Sequence, residues 1–202
     1  MCKIKGKGII VVTTIMMTTM NLNAQNGYDD TKNEVAISYG VGSNSLWIDF
    51  NEYATEVIFN GESNKKYIGA ISVEYYYRVK NWLGLGGIFA YGHCTKDLLD
   101  HDDIKFGDGI NTYLTLMPAA KFDWLRKNHF GLYSKVGLGA TLRKETIDYK
   151  DDNKGNYGKS VLHLNWQTTL IGMEFGSPYV RGFYELGHGE QGLVSIGLRC
   201  KF

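Results

Sequence analysis

Side chains able to do chemistry stand in three places in this chain. His93-Cys94-Thr95 and His188-Gly189-Glu190 each put an imidazole near a thiol, hydroxyl or carboxylate. Those residue types serve nucleophilic catalysis, which needs a base within hydrogen-bond reach of the nucleophile and a third group orienting the base. Neither triplet has a spacing that supplies both. Asp97, Asp100, Asp102, Asp103 and Asp108, with His93 and His101 nearby, form an oxygen-rich set that suits Ca²⁺. The set lacks the regular spacing and the glycine of an EF-hand, so a solvated acidic loop is the better reading. No pattern asks for a cofactor, and none specifies a reaction.

The elements that must position these side chains are strands. The chain has 202 residues, 44% hydrophobic and 21% charged, enough for one sizeable folded domain. Its 25 Gly and 14 Tyr against 2 Pro, with no long apolar run after residue 20, point to many short strands. Lys3, Lys5 and Lys7 are three of the 22 basic residues; the other 19 face 21 acidic ones, a balance of −2. A nucleic-acid binder would show a basic stripe, and none is present.

Residues 1–24 read as a secretory signal. The three lysines form its positive start, Gly8 to Met20 its apolar segment, and Leu22-Asn23-Ala24 a cleavage point before Gln25. A membrane-spanning helix needs about 20 apolar residues, more than this segment has. Cys2 precedes the apolar segment and is not a lipoprotein acylation site. Only Cys94 and Cys200 remain after cleavage, too few for a disulfide-stapled scaffold.

Period-two alternation then runs through the chain. Val194, Ile196, Leu198, Cys200 and Phe202 share one face of the last strand; Ser195, Gly197, Arg199 and Lys201 share the other. Phe130, Leu132, Val136, Leu138, Ala140 and Leu142 oppose Gly131, Tyr133, Lys135, Gly137, Gly139 and Thr141. Tyr67, Ile71, Val73, Tyr75 and Tyr77 oppose Ser72, Glu74, Tyr76 and Arg78. Leu162, Leu164, Trp166 and Leu170 oppose His163, Asn165, Gln167 and Thr169; Ile110, Leu114, Leu116, Phe122 and Trp124 oppose Asn111, Thr115 and Lys121. Noisier strands near 34–43, 82–94 and 178–187 bring the count to eight, each with roughly 9–13 residues usable for a tilted crossing. Two residues resist the pattern. Pro118 lies inside a strand and implies a bulge or local break, and Glu174 falls on an apolar parity unless a bulge resets the register.

An eight-stranded antiparallel up-and-down barrel is the expected fold. A soluble barrel would put the apolar faces inside, and a membrane barrel would put them outside. The polar faces are glycine-rich and carry both signs of charge, Glu74, Arg78, Lys121, Lys135, Arg181, Glu185 and Arg199, which suits pairing across a narrow lumen. Aromatics such as Tyr75, Tyr77, Trp82, Trp124, Phe130 and Tyr179 gather at strand ends, where membrane girdles lie. Short turns at 79–81, 125–129 and 176–178 alternate with longer connections at 44–66, 95–109 and 143–159 and a tight one at 187–191. That asymmetry suits a barrel with periplasmic termini. The domain reading is therefore signal 1–24, a short segment 25–32 and a barrel over 33–202. Cys94 and Cys200 fall near opposite ends of it, about 30 Å of hydrocarbon apart, too far for a disulfide.

Residues 45–60 interrupt the strand pattern. Leu46, Trp47, Phe50, Tyr53, Ala54, Val57 and Ile58 recur at three- and four-residue steps, with Ser45 as cap and Gly61 as stop. This predicts a helix in the first outer loop, folded over its own barrel in preference to docking a partner.

With the last strand the chain resembles a known pattern. Ser195-x-Gly197-x-x-Cys200-x-Phe202 is similar to the C-terminal assembly signal of outer-membrane proteins, with Cys200 in place of a larger apolar residue. The resemblance implies handling by periplasmic chaperones and the barrel-assembly machinery. Asn23-Ala24-Gln25, the opening 34–42 and the run 77–86 also resemble the small outer-membrane β-barrel family of the OmpA type, in the form common in Bacteroidetes-type bacteria. That family implies an outer-membrane, monomeric barrel contacting lipid, with a structural or surface-interaction role, no large pore and no catalytic residues. The alternative is a membrane-embedded lipid A deacylase or acyltransferase using the rim residues of the opening paragraph.

Overall fold

A computed structural model describes residues 31–45, 65–99, 105–149 and 157–202. Eight strands, β1(Asn33–Val41), β2(Lys65–Lys80), β3(Leu83–Leu99), β4(Lys105–Arg126), β5(Phe130–Tyr149), β6(Tyr157–Gly176), β7(Val180–Gly189) and β8(Val194–Lys201), pair in chain order. β1 closes on β8 in an antiparallel ladder running from Glu34 opposite Lys201 to Val41 opposite Val194. The result is a closed barrel. The expected secretory signal, the loop-helix residues Leu46, Trp47, Phe50, Tyr53 and Val57, and the acidic residues Asp100, Asp102 and Asp103 lie outside the described residues.

Alternation decides which side each residue faces. Along β2, Ser72, Glu74, Tyr76 and Arg78 are buried while Ile71, Val73, Tyr75, Tyr77 and Val79 are exposed. The exterior is apolar all round: Leu164 is 84% exposed, Leu162 70% and Leu116 67%. The interior holds Lys135, Arg181 and Arg199 at 0%. In water such an arrangement exposes the wrong surface; it fits a barrel whose outer solvent is hydrocarbon. The residues that resisted the alternation find local solutions. A register shift between Thr169 and Ile171 leaves Leu170 and Ile171 both outside and turns Glu174 inward. Pro118 faces outward, pairs with Gly87 of β3, and interrupts the β4–β5 ladder without shifting its register.

Two of the long connections are shorter than the sequence suggests. β3 continues to Leu99 and β4 begins at Lys105; β5 continues to Tyr149 and β6 begins at Tyr157. The four central strands have 17, 22, 20 and 20 residues, so the 95–109 and 143–159 segments are largely hairpin. Paired strands extend without a core because each added residue gains ladder bonds on one or both sides. At about 3.4 Å per residue even a tilted 20-residue strand outruns an apolar band roughly 25 Å tall. β1, β7 and β8, with 9, 10 and 8 residues, do not. One side of the barrel therefore stands well above the other at the end away from the termini.

At the termini end the turns are short and tied down. Lys127 N donates to Phe130 O at 2.8 Å, and Ser177 N to Val180 O at 2.9 Å. Arg181 reaches from the lumen to the carbonyls of Lys127 and Asn128 at 2.7 and 3.0 Å. Cys94 and Cys200 form no disulfide; the first is buried and the second exposed.

Candidate functional site

The concentrated chemistry of this chain is in its lumen, arranged in three levels. At the termini end, Glu34 accepts from Arg78 Nη2 at 2.5 Å and Lys121 Nζ at 2.6 Å. Glu174 accepts from Arg181 Nη1 and Arg199 Nη1, both at 2.7 Å, and from Lys201 Nζ. Asp123, two residues after Lys121 on the same inward parity of β4, lies 3.3 Å from Lys121 and 3.7 Å from Arg78. At mid-height, Lys135 Nζ donates to Glu74 and lies 2.7 Å from Glu185. Glu185 accepts from Tyr133 Oη at 2.6 Å and from Ser195 Oγ at 3.1 Å. Arg199 links the two levels, with its guanidinium 4.6 Å from the ring centres of both Tyr133 and Phe183.

The third level closes the mouth. Gly189 and Gly192, at φ of 140° and 106°, let the β7–β8 turn fold inward, a conformation L side chains resist. Gln191 then hangs in the lumen, its amide donating to Glu74 Oε1 at 2.6 Å and Ser72 Oγ at 2.9 Å. Gly40 passes directly under the Gln191 carbonyl, where a Cβ has no room. Glu190 accepts from Ser45 Oγ at 2.7 Å, Ser45 N at 3.2 Å and Asn165 Nδ2 at 2.8 Å. Asn44 and Ser45 have helical backbone. Burial pushes the Glu190 carboxyl above its ordinary range, against the lowering effect of the bonds from Ser45 and Asn165. Side chains fill an eight-stranded lumen readily; here they also cross-link it.

The structure is similar to Ail, the attachment invasion locus protein of Yersinia pestis, at 14% identity, covering 85% of this chain and 94% of that one, with a TM-score of 0.44 for the form in complex with the heparin analogue sucrose octasulfate. A second structure of Ail gives 15% identity, the same 85% of this chain, 95% of that one and a TM-score of 0.43. The N-terminal β-barrel domain of Pseudomonas aeruginosa OprF gives 14% identity, 86% and 100% coverage and a TM-score of 0.39. No family model and no curated protein matches.

The seven charges anticipated from parity, Glu74, Arg78, Lys121, Lys135, Arg181, Glu185 and Arg199, all lie buried within the barrel. Sequence reasoning did not count Glu34, Asp123 and Glu174 among them. Glu34 and Asp123 are legible in the sequence, since Glu34 begins the alternation of β1 and Asp123 continues the parity of Asn111, Thr115 and Lys121 on β4; Glu174 turns inward through the register shift between Thr169 and Ile171, the bulge its off-parity position calls for. The rim triplets do not assemble. His188 is exposed and rests on Trp166 at 4.9 Å, whereas Glu190 is buried on Ser45 and Asn165. His93 Nε2 is 3.3 Å from Thr95 Oγ1. Asp97 pairs with Asp108 across the β3–β4 ladder. Ser195 and Gly197 of the C-terminal pattern face inward, Cys200 and Phe202 outward. A Cβ on Gly197 would lie 2.5 Å from Cζ of Phe183, a packing reason for glycine there that is independent of any recognition.

Proposed function

We propose that this chain is an integral protein of the bacterial outer membrane, a monomeric barrel with a sealed lumen and a structural or surface-interaction role. One observation carries the reading: a continuous apolar exterior encloses a core of buried charges paired with one another. Only a hydrocarbon surround makes both halves of that arrangement favourable. The termini and short turns face the periplasm, and the long β3–β4 and β5–β6 hairpins stand outside the cell. Those hairpins are the part available to an external partner. Residues 1–24 are the export signal, cleaved near Ala24 and Gln25, and Ser195, Gly197, Cys200 and Phe202 are read by the barrel-assembly machinery after chaperone delivery. The resemblance of residues 34–42 and 77–86 supports placing the chain with the Bacteroidetes-type barrels.

The test is fractionation of cells producing the full-length chain, followed by gel migration in detergent with and without heating. An outer-membrane barrel appears in that fraction and migrates faster unheated. A chain found in the soluble periplasm, or one indifferent to heating, sinks the reading. In planar bilayers the refolded barrel gives no stable conductance, because Gln191, Glu74, Lys135 and Arg199 occupy the lumen.

A further inference from the structure

The lumen charges are unevenly distributed along the barrel axis. Among the described residues, the termini end gathers six cations, Arg78, Lys121, Arg126, Arg181, Arg199 and Lys201, around three carboxylates, Glu34, Asp123 and Glu174. The level above it is balanced, with Lys135 between Glu74 and Glu185 and Arg199 reaching both carboxylates from below. Among the described side chains, cations therefore outnumber carboxylates at the termini end. That excess is buried in a poorly screening interior, so its field reaches the surface beside it.

Beside it is a groove of about 300 Å³, lined by Asn81, Trp82, Asp123, Trp124, Arg126 and Lys127. Its walls are the β2–β3 and β4–β5 turns, joined by Arg126 Nη1 donating to Asn81 O at 2.9 Å. Trp82 and Trp124 are half exposed or more, at 51% and 60%. Lys80 holds its ammonium 5.7 Å from the ring centre of Trp82, a residue of the groove wall, and Lys127 is exposed on the opposite turn. Asp123 faces Arg78 and Lys121 and is neutralised by them. Indole rings facing outward, basic groups just beyond them and a positive interior behind match a phosphate-bearing headgroup whose acyl chains run up the barrel wall.

The geometry points to this groove as a binding site for an anionic phospholipid of the periplasmic leaflet. It rests on the membrane reading above, because only a barrel inserted in that orientation meets such a lipid. The phosphate sits between Lys80 and Lys127, and the two indoles cover the glycerol and upper chains.

Native mass spectrometry of the refolded full-length barrel, carried in detergent with equal phosphatidylglycerol and phosphatidylcholine, tests the inference. Phosphatidylglycerol is retained several-fold over phosphatidylcholine by the parent, and Lys80→Ala/Lys127→Ala loses the preference. Both lysines are exposed, and heat-modifiable migration of the double variant, checked in parallel, confirms that it still folds. Equal retention of the two lipids by the parent overturns the site, as does a preference that survives in the double variant. Loss of the preference to millimolar inorganic phosphate alone also overturns it, since a free anion would then be the occupant. A barrel that fails to migrate faster unheated defeats the membrane reading instead, so the two failures are distinguishable.

Discussion

Gln191, carried on the turn between β7 and β8, donates its amide to Glu74 Oε1 at 2.6 Å, joining residues 117 positions apart. The contact makes the outer turn part of the lumen's hydrogen-bond system. Gln191→Ala removes two side-chain donors, one of them to a carboxylate, at a cost of about 1.5–3 kcal/mol. The urea midpoint of unfolding from lipid, followed by tryptophan fluorescence, falls accordingly. A midpoint equal to the parent's would place the turn outside the barrel.

Lys135 is the cation between Glu74 and Glu185. Lys135→Met leaves two carboxylates with Arg199 as the remaining cation at that level. Breaking a buried pair in this way costs about 3–5 kcal/mol. Adding Glu185→Gln to that variant recovers part of the loss, because it removes one uncompensated charge. Additivity of the two substitutions in a double-mutant cycle contradicts the pairing.

Two inward-facing glycines on β5 respond oppositely to alanine. A Cβ at Gly131 would lie 2.7 Å from Glu174 Oε1 and 2.8 Å from its Cγ, forcing that carboxylate off Arg181 and Arg199. At Gly137 the nearest atoms are Ile88 Cδ1 at 3.4 Å and Ala119 Cβ at 3.5 Å, ordinary contacts. Gly131→Ala therefore destabilises by about 1–3 kcal/mol through overpacking, and Gly137→Ala is near neutral. Equal effects on the urea midpoint would mean that the lumen is looser than this.

Leu116 is 67% exposed and pairs with Phe89 and Ala140. In lipid, Leu116→Arg puts a guanidinium into hydrocarbon at a cost of roughly 2–4 kcal/mol at mid-depth. On a soluble barrel the same change would be neutral or would improve solubility. Folding yield into bilayers, compared with that of the parent, separates the two.

Glu190 supplies the pH dependence at the mouth. Burial raises its folded-state pKa above the unfolded value, so the folded barrel holds this proton more tightly than the unfolded chain. The resulting stability is fully present below the ordinary carboxylate pKa and is lost as pH rises through the raised one. The midpoint difference between parent and Glu190→Gln thus shifts in the variant's favour as pH rises from the acidic range towards neutrality. A difference constant with pH excludes a perturbed Glu190.

Strand identity and sidedness belonged to the sequence because side chains alternate with a period of two wherever the backbone is extended. Val194, Ile196 and Phe202 against Ser195, Arg199 and Lys201 is a local statement, and it holds in the barrel. The closing register, Glu34 opposite Lys201, depends on all eight strands together. So does the shift that turns Glu174 inward, since a bulge forms where neighbouring ladders disagree and not where a residue type demands it. The outer parts of β3 through β6 carry no strand signal for the same reason: polar residues lengthen a strand when a neighbour supplies the hydrogen bonds. Which charges meet was likewise decided by tertiary structure, because Glu34 and Lys121 are 87 residues apart and only barrel closure brings them to 2.6 Å.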